Sequence, residues 1–491
     1  MTRPPKTVLR YSWIVRGVVL WVAIALAASA CSSGRKPGGQ KVPDPEPQAE
    51  KPPQRASWPA PPSEQRPGDP QRGRRALLNE NYIGCGVPDS VLSRFNPFSP
   101  TPMADRDPQN ADLPFFLTRY KTSDGVSVVT ANCLGCHAAY MNGELVVGLG
   151  NVVSDFSMDP SGPLSMLTRL TGGVEGRELE LLSSRVEALY PGVLMETLGP
   201  NPADHIAAML FAHRDAKTLA WSDEPLMELP AHSPTPVDVP AWWMMRKKNA
   251  MFYTAAGRGD HARIMMTASA LCTDSVAQAK AIDAYFPDIR AYIASLEAPP
   301  YPFEIERPSA DRGQSVFEKR CSRCHGTYAE DNADDAYPNL VVALEVVGTD
   351  PVLAVGSGQF AGRFVEWFNR SFYGEIANLD PQPGYIAPPL DGVWATAPYF
   401  HNGSVATLAE VLDSSARPKR WRRLSLSSRD YDKKRLGWRS TQVDDEEWAE
   451  TDDRRMIYDT TRLGYSNVGH PFGDSLTPVA RRDLLEYLKT L

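Results

Sequence analysis

The pentapeptide Cys-x-x-Cys-His occurs twice, as Cys133-Leu-Gly-Cys136-His137 and as Cys321-Ser-Arg-Cys324-His325. Two thiols one turn apart, followed directly by an imidazole, can hold a porphyrin through thioethers and give its iron a proximal ligand. One copy alone could be chance or half of another metal site. Two copies consume four of the seven cysteines and predict two covalently bound haem c groups. Cys133, Cys136, Cys321 and Cys324 are then the attachment points, with His137 and His325 on iron. A chain of 491 residues has room for two domains, and a mostly α fold is expected.

The N-terminus reads as an export signal. Arg3, Lys6, Arg10 and Arg16 precede an apolar run from Gly17 to Ala30, 14 residues long. That is short of the ~20 a membrane-spanning helix needs but suits a signal peptide over 1–30. Cys31 follows Leu26-Ala-Ala-Ser-Ala30 as in a bacterial lipoprotein box, with Ala28 at the place usually held by Leu. The alternative is ordinary cleavage after Ala30, leaving Cys31 free. The expected location is therefore the periplasm or, through lipidated Cys31, the outer membrane, with no other membrane contact. From 31 to 75 the sequence is Pro-rich and charged with few aliphatic residues, so a disordered tether is expected. The net charge of 52 − 59 = −7 gives no global basic excess, which argues against nucleic acid as a partner. Cys85 and Cys272 could pair in an oxidising compartment, or be two unrelated buried thiols.

Glu297-Ala-Pro-Pro-Tyr-Pro302 and Pro308 mark a joint, dividing the folded part into 76–300 and 301–491. The first portion is unusually large for a haem domain. Helical patterns run over Pro163–Thr171, Leu179–Leu189, Ala203–Ala216 and Val276–Leu296, the last kinked or broken at Pro287. In the second, Ser309 is expected to cap a helix that delivers Cys321. Thr477-Pro478 should open a closing helix carrying Val479, Leu484, Leu485 and Leu488. No internal repeat is evident beyond the two haem motifs.

Function in a haem protein turns on the sixth iron position. Besides the proximal pair there are six histidines: His205, His213, His232, His261, His401 and His470. His470 lies in the glycine-rich loop Gly464-Tyr-Ser-Asn-Val-Gly-His-Pro-Phe-Gly473, where no apolar periodicity requires it. Met456 is the only methionine after the second motif.

The stretch Leu390-Asp-Gly-Val-Trp-Ala-Thr-Ala-Pro-Tyr-Phe-His-Asn-Gly-Ser404 resembles the signature of the bacterial di-haem cytochrome c peroxidase superfamily. The motif spacing of 325 − 137 = 188, Pro240-Ala-Trp-Trp243 and Asn467-Val-Gly-His-Pro-Phe-Gly473 are more similar to its rubber-oxygenase branch. The likeness is strong over 300–491 and patchy over 110–300. It implies two cytochrome c-like haem domains, the first enlarged, with the haems near their interface. It makes His470 the distal ligand of a bis-His second haem and leaves the first haem reactive. It places Tyr399 and His401 beside the cofactor, His401 off the iron, and allows a calcium ion that no ligand cluster here locates. The family's usual distal methionine is missing within a short distance of the Pro-Tyr-Phe-His stretch, which favours His470.

The resemblance thus implies a peroxidase-type oxidoreductase, reducing peroxide at the first haem with electrons relayed through the second from a small redox protein. The alternatives are an oxygenase using O2 to cleave an apolar olefin such as polyisoprene, and a plain electron-transfer lipoprotein. For the first haem's distal side the candidate is Trp242 to Tyr253, continuing to His261, with His261 or Asp260 near bound peroxide; a buried aromatic helix is the alternative. Trp242, Trp243 and Trp394 are either packing or electron relays. The basic run Arg417-Pro-Lys-Arg-Trp-Arg-Arg423 and the acidic Asp444-Asp-Glu-Glu447 are expected as solvated faces, or as a docking patch for an acidic partner.

Overall fold

The computed structural model describes residues 56–491, apart from 96–98, 191, 230–233, 330–334, 360 and 452. The expected signal peptide, Cys31, the expected tether up to residue 55 and His232 lie outside the described residues. No helix among those described is long and apolar enough to cross a membrane. Helix outweighs strand, about 40% against 14%, so the helical expectation holds coarsely. The strands form two- and three-stranded ladders that the sequence did not announce.

Two helix pairs frame the molecule. In the first, the Pro70–Asn79 helix crosses the Phe286–Ala294 helix. In the second, Arg307–Arg320 crosses the closing Pro478–Leu488 helix. Each crossing is made close by a glycine. A Cβ on Gly73 would sit 1.8 Å from the Asp288 carbonyl oxygen, and one on Gly313 2.0 Å from that of Asp483. The same device appearing twice is an internal parallel that sequence comparison missed. Gly313→Ala should therefore force the second pair apart and destabilise the protein by about 1–3 kcal/mol or more, read by denaturant unfolding.

The helix ends follow local chemistry. Thr477 accepts from the Ala480 N–H with Pro478 in the first turn, as expected. The segment 276–296 breaks into Val276–Asp283 and Phe286–Ala294, and Pro287 falls in the first turn of the second helix, where its missing N–H costs nothing. Ser309 is not a cap. The helix starts at Arg307, and the buried Ser309 hydroxyl donates to the Asp483 carboxylate that also receives Arg312. A hydrogen bond across the helix pair outcompetes the local cap.

The tether expected over 31–75 ends by residue 56. Ser57–Pro59 pairs antiparallel with Leu340–Ala343. Arg66 bridges Asp260 and Asp283 at 3.0 and 2.7 Å, and Asp69 caps the Pro70–Asn79 helix. Composition misled because this segment is held by ion pairs, backbone ladders and a close glycine contact rather than by many aliphatic side chains.

Packing crosses the proline-rich joint in both directions. The Ala361–Arg370 helix sends Trp367 into the N-terminal core, its Nε1 donating to the Arg214 carbonyl at 2.7 Å and its ring stacking on Phe211 at 4.3 Å. Phe368, Phe372 and Tyr373 are buried beside it. Ala377–Leu379 then pairs with Gly257–Gly259. Cys85 and Cys272 form a disulfide, resolving that alternative.

Candidate functional site

The first motif forms a single helical turn, Leu134–His137, held by its neighbours. Asn132 accepts from the Leu134 N–H, the Tyr82 hydroxyl accepts from the Cys133 N–H, and Asn151 donates to the Gly135 carbonyl. The hairpin of Ala138–Met141 and Glu144–Val147 follows at once. The indole of Trp242 stacks on the His137 ring, centroids 4.7 Å apart. Burial pushes the His137 pKa down to about 4, with the Pro240 carbonyl opposing it. The imidazole is thus neutral, the form that binds metal.

The second motif rides on the end of the Arg307–Arg320 helix, with the Cys321 N–H donating to the Phe317 carbonyl. His325 Nδ1 donates to the Pro388 carbonyl at 2.8 Å. That bond orients the ring and leaves Nε2 for a ligand, as metal-bound histidines require. Facing it is His470, centroid to centroid 6.2 Å. An iron about 2 Å from a nitrogen of each of two imidazoles sets their centroids roughly 6 Å apart, so the pair fits both axial positions of one haem. Burial, assisted by the His325 and Arg417 charges, takes the His470 pKa to about 3 and keeps it neutral.

His470 occupies the left-handed region, φ +50°, an unusual conformation for a residue with a side chain and one that marks functional positions. Its loop is tied down. Asn402 donates to the Gly464 and Ser466 carbonyls, both at 3.0 Å. Arg417 donates to four carbonyls, those of Glu410, Val411, Asn467 and Gly469, at 2.7–3.0 Å. Gly469 cannot carry a Cβ, which would lie 2.2 Å from the Gly348 carbonyl carbon. Arg417→Ala should loosen the loop and leave only part of the population with His470 in place, seen as a mixed-spin visible spectrum.

The basic run is therefore not a solvated face. Besides Arg417, Arg420 and Arg423 are buried on the Arg420–Arg423 strand. Arg420 pairs with Asp459 and Asp445, and Arg422 with Glu447, so the acidic run folds back onto the basic one. Arg420 and Arg423, three positions apart, lie on opposite faces of the strand, so both of its faces are covered at these arginines.

Tyr399 is buried, its hydroxyl within hydrogen-bond distance of the Val393 and Leu436 carbonyls. His401 stacks on Tyr385 at 4.1 Å, and burial lowers its pKa to about 3. His261 is buried in the His261–Met265 turn. Its N–H donates to Gln65 and its Nε2 lies 3.4 Å from the Asn249 carbonyl. Burial and the Arg290 charge lower its pKa to about 4. The neighbouring Asp260 is committed to Arg66 and to capping that helix. These contacts tie both residues to the 56–75 segment rather than to the first motif.

A different carboxyl lies on the first motif's side. The Ala203–Ala212 helix starts two residues after Asn201, whose amide is 3.7 Å from Cys136 Sγ. In its first turn, Asp204 is exposed, yet the protein packed around its carboxyl raises its pKa to about 6. Sequence reasoning passed over Asp204 because an acidic residue in a first turn is ordinarily a complement to the helix dipole.

The two motifs are connected. Trp242 stacks on His137, and the adjacent Trp243 donates from Nε1 to the Asp391 carbonyl at 2.8 Å. Asp391 lies three residues from the carbonyl that receives His325. Among the described residues no cluster of three or more Asp, Glu, His or Cys side chains is gathered as for a metal ion, so the calcium expectation has no place assigned.

Fold and site define a haem-binding, cytochrome c-like protein. Residues 384–422 match the family described as RoxA-like, cytochrome c-like, and a domain of that kind implies covalently bound haem c with iron. The chain is similar to the uncharacterized proteins y4iM and y4iJ of Sinorhizobium fredii (strain NBRC 101917 / NGR234). The first is 28% identical over 237 residues, 40% of this chain and 52% of that protein. The second is 29% identical over 247 residues, 38% and 39% respectively. The chain thus spans about half or less of these relatives' length. Hydrazine synthase of Kuenenia stuttgartiensis, solved under 20 bar xenon, aligns over 61% of this chain and 97% of its own. With 17% identity and a TM-score of 0.24, that likeness is too weak to bear on fold or function.

Proposed function

We propose that the chain is an exported di-haem c-type oxidoreductase that reduces peroxide at the Cys133–His137 site with electrons delivered through the Cys321–His325 site. The observation that carries this reading is the asymmetry between the sites. His325 and His470 close both faces of the second, which suits electron transfer. At the first, the ring described against His137 is the indole of Trp242, and the Asp204 carboxyl, on the helix that follows Asn201, has its pKa raised. When bound there, haem iron supplies a coordination position for peroxide and the electrons that cleave its O–O bond. The protein's own part is proton handling and exclusion of water. Asp204, as carboxylate, would accept a proton from peroxide and hand it to the departing water. Two protons and two electrons convert H2O2 to two waters. The Trp242–Trp243–Asp391 connection would offer a route between the sites.

Under this reading the two glycine-crossed helix pairs are the frames of two cytochrome c units, Tyr399 and His401 shape the cofactor pocket, and a small redox protein is the donor. Attachment through lipidated Cys31 would hold the body near the outer membrane. A second reading, oxygenation of an apolar olefin such as polyisoprene, is favoured by the RoxA-like match at 384–422. Stopped-flow mixing of the holoprotein with H2O2 and a ferrocytochrome c tests the first. Two donor equivalents oxidised per peroxide support it; absence of turnover, together with carbonyl-ended fragments from polyisoprene under O2, would replace it with the second.

A further inference from the structure

Arg423 is 8% exposed, yet none of its three guanidinium nitrogens has a hydrogen-bond partner. Its Cζ lies 4.0 Å from the centroid of the Trp438 ring, which contacts the face of the guanidinium and leaves its donating edge unused. Its neighbours on the same run do otherwise: Arg417 spends its donors on four carbonyls and Arg420 on two carboxylates. Burial draws the Arg423 pKa down to about 9, only partly offset by Asp430. A buried cation in this condition is costly unless an anion arrives to meet it.

A place for that anion exists. Arg423 lines a cavity with Gly199, Pro200, Pro398, Gly403 and Trp421, so its walls come from both sides of the proline-rich joint. Pro200 adjoins Asn201, whose amide touches Cys136 Sγ. The guanidinium fork matches the two oxygens of a carboxylate. The cavity is small, about 30 Å³, on the order of the space of one water. A carboxylate on a group already anchored outside can reach in without the entropic cost of immobilising a free acid.

We infer that Arg423 receives a propionate of the porphyrin carried by Cys133 and Cys136. This rests on the reading that the first motif bears a haem. Holoproteins of the wild type, Arg423→Lys and Arg423→Met, with Arg423→Gln if the methionine variant does not accumulate, would first be assayed for covalent haem by the pyridine haemochrome. Each should then be titrated spectroelectrochemically. Removing the cation should shift the Fe(III)/Fe(II) equilibrium of the first haem about tenfold towards the oxidised state, ~59 mV for one electron. Lysine should restore part of that, and the bis-His haem should not move. Two attached haems with an unshifted first potential in the neutral variants would overturn the inference. So would a saturable shift of the wild-type potential on adding acetate, which would assign the site to free carboxylates. A wild-type haem count of one, with Cys133 and Cys136 unmodified, would instead remove the di-haem reading on which the inference depends.

Discussion

His470→Ala is expected to turn one haem from low-spin to high-spin while both remain attached. Attachment depends on Cys321 and Cys324, and the proximal bond on His325, which keeps its own anchor at the Pro388 carbonyl. What is lost is the second imidazole, 6.2 Å away, and with it the saturation of that iron. Cyanide should then bind two sites per chain in place of one. Turnover with a protein donor should fall by roughly 10²-fold or more, because an electron-transfer centre needs the same ligands in both oxidation states. His470→Met should keep the iron six-coordinate and raise its potential. Arg417→Ala, acting only through the loop, should give an intermediate spectrum. If all three variants keep the wild-type spectrum and cyanide stoichiometry, His470 is not the ligand.

Asp204→Asn should lower kcat/KM for peroxide by about 10²–10⁴-fold, the range for loss of a positioned general base, with spectra and haem content unchanged. In the wild type the active form is the carboxylate, so kcat/KM should rise with pH through about 6, and the variant should be flat there. The effect on stability has the opposite sign. The folded pKa is raised above its unfolded value near ~4, so the group's contribution is fully present below that and lost as pH climbs through about 6. The asparagine variant should lack that decline. His261→Ala should lower stability without altering the pH profile, because its contacts are with Gln65 and Asn249. A pH profile that follows His261 and ignores Asp204 would reverse these roles.

The two Cys-x-x-Cys-His motifs were legible because thioether chemistry demands adjacent residues in a fixed order, so that no folding is needed to see them. The bend at His470 was legible for a related reason: glycines around a histidine announce an unusual backbone, and the loop does hold φ +50° there. Helix starts at Thr477 and the break before Pro287 followed from short-range rules. The failures share the opposite property. Residues 56–75 are ordered by partners some two hundred positions away, Asp260, Asp283 and Asp288. Ser309 was claimed by Asp483 rather than by its own helix end. Arg417, Arg420 and Arg423 looked like solvent-facing charge because composition carries no sign of which segments the rest of the fold covers. Asp204 stands out only through the tertiary surroundings that raise its pKa, which local pattern cannot express.

The crossing of residues 361–379 into the N-terminal core, and of residues 57–59 into the ladder with 340–343, bears on how such a protein can be taken apart. A cut at the proline-rich joint would strip Trp367, Phe368, Phe372 and Tyr373 of the surface they cover and leave one β ladder without an edge. The two halves are less like beads on a string than like clasped hands: neither is a module that could be lifted out, shuffled or expressed alone, and the separation between the two attachment motifs is set by the clasp rather than by a linker.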